Sequence, residues 1–313
     1  MSALIESLFY SGREVPWHGL GTQVDTAPTS KFAIELAGLN WIVEGKPVFD
    51  ANGNEIPGYV ANTRDSDNSV LGIVTDRYKV VQNSEAFEFT DSLLDEGITY
   101  ETAGSLRDGK TIWLLAKMPE QKILDDKFDP YICFMNTHDG TGAIKVCMTP
   151  IRVVCNNTLN LAINSATRSW STKHIGNIQE KLEEAKHTLG LATTYMSALD
   201  VEADILANTK VSDTEFEAMF DGMFPVDYKN DSSRKINNIN ELKLNLFKCY
   251  AQPDIAKFHG TGWGIINAAT DLVAHTAPAR LSVNYQANNF GKIVTGHPFV
   301  DNLYNRIKQV KNV

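Results

Sequence analysis

The segment "TPIRVVCNNTLNLAIN", residues 149–164, concentrates side chains that can both donate and accept hydrogen bonds. On a helix beginning at Pro150 with Thr149 as its cap, Arg152, Asn156, Asn160 and Asn164 recur at every fourth position. Successive members drift by about 40°, so they form one slanted polar ridge opposite Ile151, Val154, Cys155, Thr158, Leu159 and Ala162. A guanidinium beside a row of amides suits phosphate oxygens and base edges. It suits equally a neighbouring loop backbone or a subunit contact, because asparagine ties down main chain. The segment is poor helix material: Ile151, Val153, Val154, Thr158 and Ile163 are β-branched, and the asparagines favour caps and turns. A strand that breaks at Asn156 is the alternative, and it would dissolve the ridge.

Charge singles out the same region. The chain is net −9, which argues against indiscriminate adhesion to nucleic acid. Residues 1–140 are net −11 and residues 180–231 net −8, whereas residues 232–313 are net +6. Residues 141–179 carry Lys145, Arg152, Arg168 and Lys173 and no carboxylate. A second carboxylate-free stretch runs from Leu272 to Val300 and contains "LSVNYQANNFGK". There Tyr285 and Phe290 alternate with amides and Lys292, a composition able to stack and hold single-stranded bases, or simply a polar loop packing two aromatics.

Catalytic signatures are weak. The seven histidines show no HExxH spacing, and no nucleophile elbow occurs. His138 and Asp139 are adjacent, where a turn role is simplest. "GTGWG" (260–264), after His259, could receive an anion at a helix N-terminus but lacks the lysine spacing of a P-loop. "PWHGLGT" (16–22), with His18, reads as a docked N-terminal plug or a site lip. Cys133, Cys147, Cys155 and Cys249 form no CxxC pair, so buried thiols are expected rather than a zinc site. We therefore expect no enzyme, no metal and no cofactor.

The elements that must position these residues follow from turn chemistry and periodicity. Asn52-Gly53, Asp108-Gly109 and Asp139-Gly140 each sit between strand-like arms and predict three hairpins. "NSEAFEFTDSLLDEG" predicts a helix ending at Gly97. From Asn177, Ile178, Leu182, Ala185, Leu189, Ala192, Met196 and Leu199 recur every three or four residues, which predicts one long amphipathic helix. Further helices are expected around 212–221, 236–251 and 261–276 and at the C-terminus. The fold class is α+β: a mainly antiparallel hairpin sheet backed by helices, then a helical C-terminal half. Two domains are expected, a sheet domain over 1–175 and a mainly helical domain over 176–313. With 43% hydrophobic residues, no membrane-length apolar run and no signal-peptide start, the chain reads as a cytoplasmic globular protein.

Long stretches of the chain, "PWHGLGT", "RYKVVQNSEAFEF", "AGSLRDGKTIWLLAKMP", "NTHDGTGAIKVCMTPIRVVCNNTLNLA", "KHIGNIQEKLEEA" and "GTGWGIINAATDLVAH", resemble the phage/plasmid-like family known as domain of unknown function 932. The resemblance implies a mobile-element origin, phage or plasmid, and supplies no mechanism. Hairpins 97–118 and 129–149 backed by a helix over 150–164 are similar, at fold level, to phage single-strand annealing proteins of the RecT and Redβ type. Those lay single-stranded DNA along an oligomeric ring or filament.

Together these readings lead to an expectation: a nonenzymatic, self-associating single-stranded-DNA-binding protein of phage or plasmid recombination. Its groove would comprise Lys145, Arg152, Asn156, Asn160, Arg168 and Lys173, with Tyr285, Phe290 and Lys292 adding stacking and charge. Assembly into a ring or filament would let weak strips act together through avidity. The rival is an acidic factor that binds a host protein, acting against host defence or in host takeover.

Overall fold

The computed structural model describes residues 5–11, 22–24, 30–91, 99–124, 126–152, 157–158, 161–163, 168–276, 289, 292 and 295–313. The strands are β1 (Ile5–Ser11), β2 (Thr22–Val24), β3 (Val43–Phe49), β4 (Glu55–Arg64), β5 (Val70–Thr75), β6 (Thr99–Leu106), β7 (Thr111–Lys117), β8 (Gln121–Ile123), β9 (Asp126–Thr137), β10 (Ile144–Arg152), β11 (Asn157–Thr158) and β12 (Ser169–Thr172). The helices are α1 (Ser30–Leu36), α2 (Asn83–Asp91), α3 (Ile178–Asn208), α4 (Asp213–Met223), α5 (Ser233–Tyr250), α6 (Gly262–His275) and α7 (Pro298–Lys311). The class is α+β, with antiparallel hairpin sheets first and a helical C-terminal half, as the turn and periodicity signals require. The one parallel pairing among the described strands joins β1 to β2.

All three expected hairpins form. Gly53, Gly109 and Gly140 adopt positive φ at their turns. At the second turn Arg107 and Asp108 share that conformation, which lets Leu106 pair directly with Thr111. β7 is buried on both faces from Thr111 to Ala116, as its unbroken apolar run demands of a central strand.

The chain divides into two compact units. The first comprises Met1–Pro119, Pro130–Met148 and Ser169–Thr193; the second comprises Glu120–Asp129, Thr149–Arg168 and Thr194–Val313. The chain thus crosses between units five times, where the sequence suggested one boundary at 175/176. In the first unit, β10, β9, β7, β6, β1 and β2 follow one another across a sheet, and β12 pairs with β10. β3, β4 and β5 make a separate three-stranded sheet.

The turn after β9 holds that small sheet in place. The Asn62 side chain donates to the His138 carbonyl at 2.7 Å in a buried setting. Gly72 lies so close to Asp139 that a Cβ there would stand 2.5 Å from the Asp139 Cα. His138 is fully buried, its Nε2 3.0 Å from Asn83 Oδ1. Because Asn83 spends its amide on the Leu39 carbonyl, its Oδ1 accepts here, so His138 carries its proton on Nε2. Trp41 packs edge-on against the imidazole, and Arg64, paired with Asp67, lies over the Trp41 ring.

The second unit is built around α6, every residue of which is buried from Gly262 to Thr270. A helix apolar on all sides needs neighbours all round. α5 and α7 pack against it, and Gly262 brings its backbone near the Leu206 and Ile307 side chains. Ser212 and Glu215 form a capping box that starts α4.

The structure overturns one element expectation. No helix begins at Pro150: Thr149 to Arg152 continue β10, and Asn157–Thr158 return as β11, with Ile151 opposite Thr158 and Arg152 opposite Asn157. The β-branched run outweighs the capping signal. Arg152 is in a strand, so the helical ridge expected of Arg152, Asn156, Asn160 and Asn164 does not start there, and Asn164 lies outside the described residues. Asn156 and Asn160 lie outside the described residues, as does the Gly97 stop expected of α2.

Candidate nucleic-acid interface

The carboxylate-free stretch makes its surface in the first unit by strand pairing. β10 and β12 run antiparallel, with Lys145 opposite Ser171 and Cys147 opposite Ser169. Among the described residues β12 has no second neighbour, so it is an edge strand. Strand alternation puts Lys145, Ser169 and Ser171 on one face, and Lys173 follows at the same parity. Ser169, Ser171 and Lys173 are exposed and Lys145 is half-buried. Ammonium and hydroxyl groups without a carboxylate are a phosphate-contact chemistry.

More cations join where β12 ends. The Lys79 amide donates to the His174 carbonyl at 2.8 Å, and His174 Nδ1 sits 3.0 Å from the Lys79 carbonyl. This reciprocal pair fixes the "RYK" segment beside the "KHIG" segment. The Lys181 ammonium, one turn into α3, donates to the carbonyls of Lys173 (3.2 Å) and Ile175 (2.5 Å). Lys79, Lys145, Lys173 and Lys181 make no ion pair with a described carboxylate. Of the acidic groups near them, Glu85 accepts from Gln179 and from the Gln82 amide.

Beneath these lysines lies an aromatic and polar layer. Tyr78 stacks on His174 with ring centroids 4.4 Å apart, and its hydroxyl donates to the Thr137 carbonyl. Burial pushes the Tyr78 hydroxyl above its ordinary pKa, and the Asp139 charge adds to this. His174 is lowered by burial; its bond to the Lys79 carbonyl opposes, Lys181 lowers it further, and Asp139 opposes. Burial also drives His138 down to about 3. Both imidazoles are thus neutral at neutral pH and hold the layer by packing and hydrogen bonding. Asp139 caps its own turn through Thr141 and faces Arg107 at 3.8 Å.

Arg168 belongs to the second unit, where it grips Asp301 through two hydrogen bonds of 2.9 and 2.7 Å. Asp301 also accepts from the Ala162 amide, so this arginine anchors its own segment at the start of α7. Arg152 lies in the part of β10 assigned to the second unit. Lys292 is exposed, while Tyr285 and Phe290 lie outside the described residues. His259 stacks on Tyr250 and faces its carbonyl, an internal contact of the second unit. Lys79, Lys181, Ser169 and Ser171 were not anticipated. The signal for Lys79 is a lysine beside an aromatic ring in "RYK", a pairing that recurs in "KHIG" almost a hundred residues later; no motif marks Lys181, Ser169 or Ser171.

Among the described residues, no group of three or more His, Cys, Asp or Glu side chains could hold a metal ion, and no helix is long and apolar enough to cross a membrane. Cys133, Cys147 and Cys249 are buried free thiols.

No curated protein and no solved structure matches the chain. The family described as "Domain of unknown function (DUF932)" matches residues 70–291, a span holding every residue of the lysine-lined surface, and the chain belongs to that family.

Proposed function

We propose that the protein binds single-stranded DNA by its phosphate backbone along β12 and the loop that follows it. It would act as a nonenzymatic annealing or recombination factor of a phage or plasmid. The observation that carries the reading is a cluster of four lysines, Lys79, Lys145, Lys173 and Lys181, with no described carboxylate in ion-pair reach, beside the exposed hydroxyls of Ser169 and Ser171. Lysine and serine contacts position a strand without reading its sequence, so the bases stay available for pairing. The cytoplasm of the host is the compartment this role requires.

Fluorescence anisotropy of a labelled oligothymidylate at micromolar protein tests it. Four phosphate contacts on a single strand give a log–log salt slope of roughly −3, and each lysine removed makes it shallower by about 0.7. The double variant Lys145→Ala/Lys173→Ala should therefore bind more weakly and show a slope nearer about −1.5. No anisotropy change at low salt, or a slope that ignores both substitutions, refutes the reading. Capture of one stoichiometric host protein without DNA would support the acidic protein-binding rival.

A further inference from the structure

The three-stranded sheet has two unlike faces. One packs inward through Asn62 and Val74. The other carries three rows defined by strand register, Glu44–Thr63–Val70, Lys46–Ala61–Ile73, and Tyr59–Thr75, in which Thr63 alone is buried. Val70 (56% exposed), Ile73 (60%) and Tyr59 (49%) leave much of their apolar surface in water. Three large apolar side chains on adjoining strands of one small sheet are a contiguous patch rather than scattered exposure. The edge gives a different message. Pro47 on β3, one of the two edge strands, has no amide proton, which discourages strand addition on that side. What the sheet offers a partner is its face.

We propose that this face is where a second copy of the chain docks, sheet against sheet. The charges select that occupant. Glu44 and Lys46 flank the patch in neighbouring rows, 3.8 Å apart and both well exposed. A twofold axis lying across the strands between those rows sets Glu44 of one copy over Lys46 of the other, and Val70 over Ile73. Both contacts form twice, once in each half, as an isologous interface requires. The three rows carry one charge of each sign, Glu44 and Lys46, so they add no net like-charge repulsion between copies. The inference goes beyond the DNA reading and stands without it, because none of these residues belongs to the lysine cluster.

Sedimentation velocity without DNA, from nanomolar to tens of micromolar protein, tests it. The expected result is a dimer, or an assembly built of dimers, whose dissociation constant rises at least tenfold in Ile73→Lys. Glu44→Lys and Lys46→Glu should each weaken it several-fold, and the double exchange Glu44→Lys/Lys46→Glu should restore it. All three positions are at least partly exposed, and circular dichroism with a thermal midpoint verifies that each variant folds. If Ile73→Lys lowers the midpoint, Val70→Lys replaces it. A monomer at every concentration overturns the proposal, as does an assembly indifferent to Ile73→Lys or not restored by the double exchange. Single-stranded-DNA binding by a protein that stays monomeric would sink this inference and leave the previous one standing.

Discussion

Lowering the pH below 6.5 should loosen the first unit through His138. The imidazole is fully buried, and its pKa falls from 6.5 to about 3. Burial is the main cause; nearby His174 lowers it further and Asp139 opposes. Asn83 accepts from one ring nitrogen, Trp41 covers an edge, and Nδ1 has no partner among the described residues. The base is neutral in the fold. Its contribution is therefore intact above the unfolded value of 6.5 and falls as pH drops, because the unfolded chain takes up a proton the folded chain refuses. At 1.36 kcal/mol per pH unit, the loss at pH 5 is about 2 kcal/mol. Urea unfolding of the wild type and of His138→Gln at pH 7.5 and 5, followed by tryptophan fluorescence, reads it out. Carboxylates and His174 titrate in both proteins, so the difference isolates His138. The wild type should lose about 2 kcal/mol more than the variant over this interval. Parallel pH profiles would refute the reasoning.

Two further substitutions probe contacts inside each unit. Gly72→Ala places a methyl 2.5 Å from the Asp139 Cα and 2.8 Å from its carbonyl oxygen, both backbone, so the turn must move; a loss of about 2–3 kcal/mol in urea unfolding is expected. Gly45→Ala on the same sheet is the control, because its nearest neighbours are Val60 side-chain atoms at 3.9 Å, and its cost should stay below about 1 kcal/mol. Arg168→Met removes both hydrogen bonds to the part-buried Asp301 and should cost about 2 kcal/mol, read as a lower thermal midpoint with oligonucleotide affinity unchanged. A fall in affinity without a fall in midpoint would return Arg168 to the DNA surface.

The fold was legible wherever local chemistry decides structure. Asn52-Gly53, Asp108-Gly109 and Asp139-Gly140 announce hairpins because few residues tolerate positive φ. The apolar spacing from Ile178 announces α3 because only a helix gathers it on one side. Thr149-Pro150 misled because a cap and a first-turn proline are weak signals. The continuing β10 ladder and the β-branched run outweigh them. The site was half legible. Lys145 lies on β10 and Lys173 directly follows β12, the strand that pairs with it. Lys79 joins them through the bonds between its backbone and His174, a tertiary pairing of residues 95 apart that no periodicity encodes. Arg168 looked like a groove residue because charge was counted along the chain. Its partner, Asp301, is 133 residues away and closes the second carboxylate-free stretch.

A chain of net charge −9 can still hold a polyanion, and the reason lies in distance. At about 0.15 M salt the screening length is ~8 Å, so a phosphate held at Lys173, as proposed, would be governed by its immediate neighbours rather than by the net charge of the chain. At about 0.01 M the length grows to ~30 Å, comparable with the protein itself, and the acidic remainder repels the strand. Counterion release pulls the other way and strengthens binding as salt falls. A uniformly basic protein feels only the second effect. Here the two oppose each other, so log affinity against log salt should follow the lysine-determined slope near physiological salt and flatten toward low salt. Pairing two copies through the neutral sheet face would double the number of strips per particle at little electrostatic cost. Under the proposed reading, local contacts would set the affinity per subunit and assembly would set whether the strand stays bound.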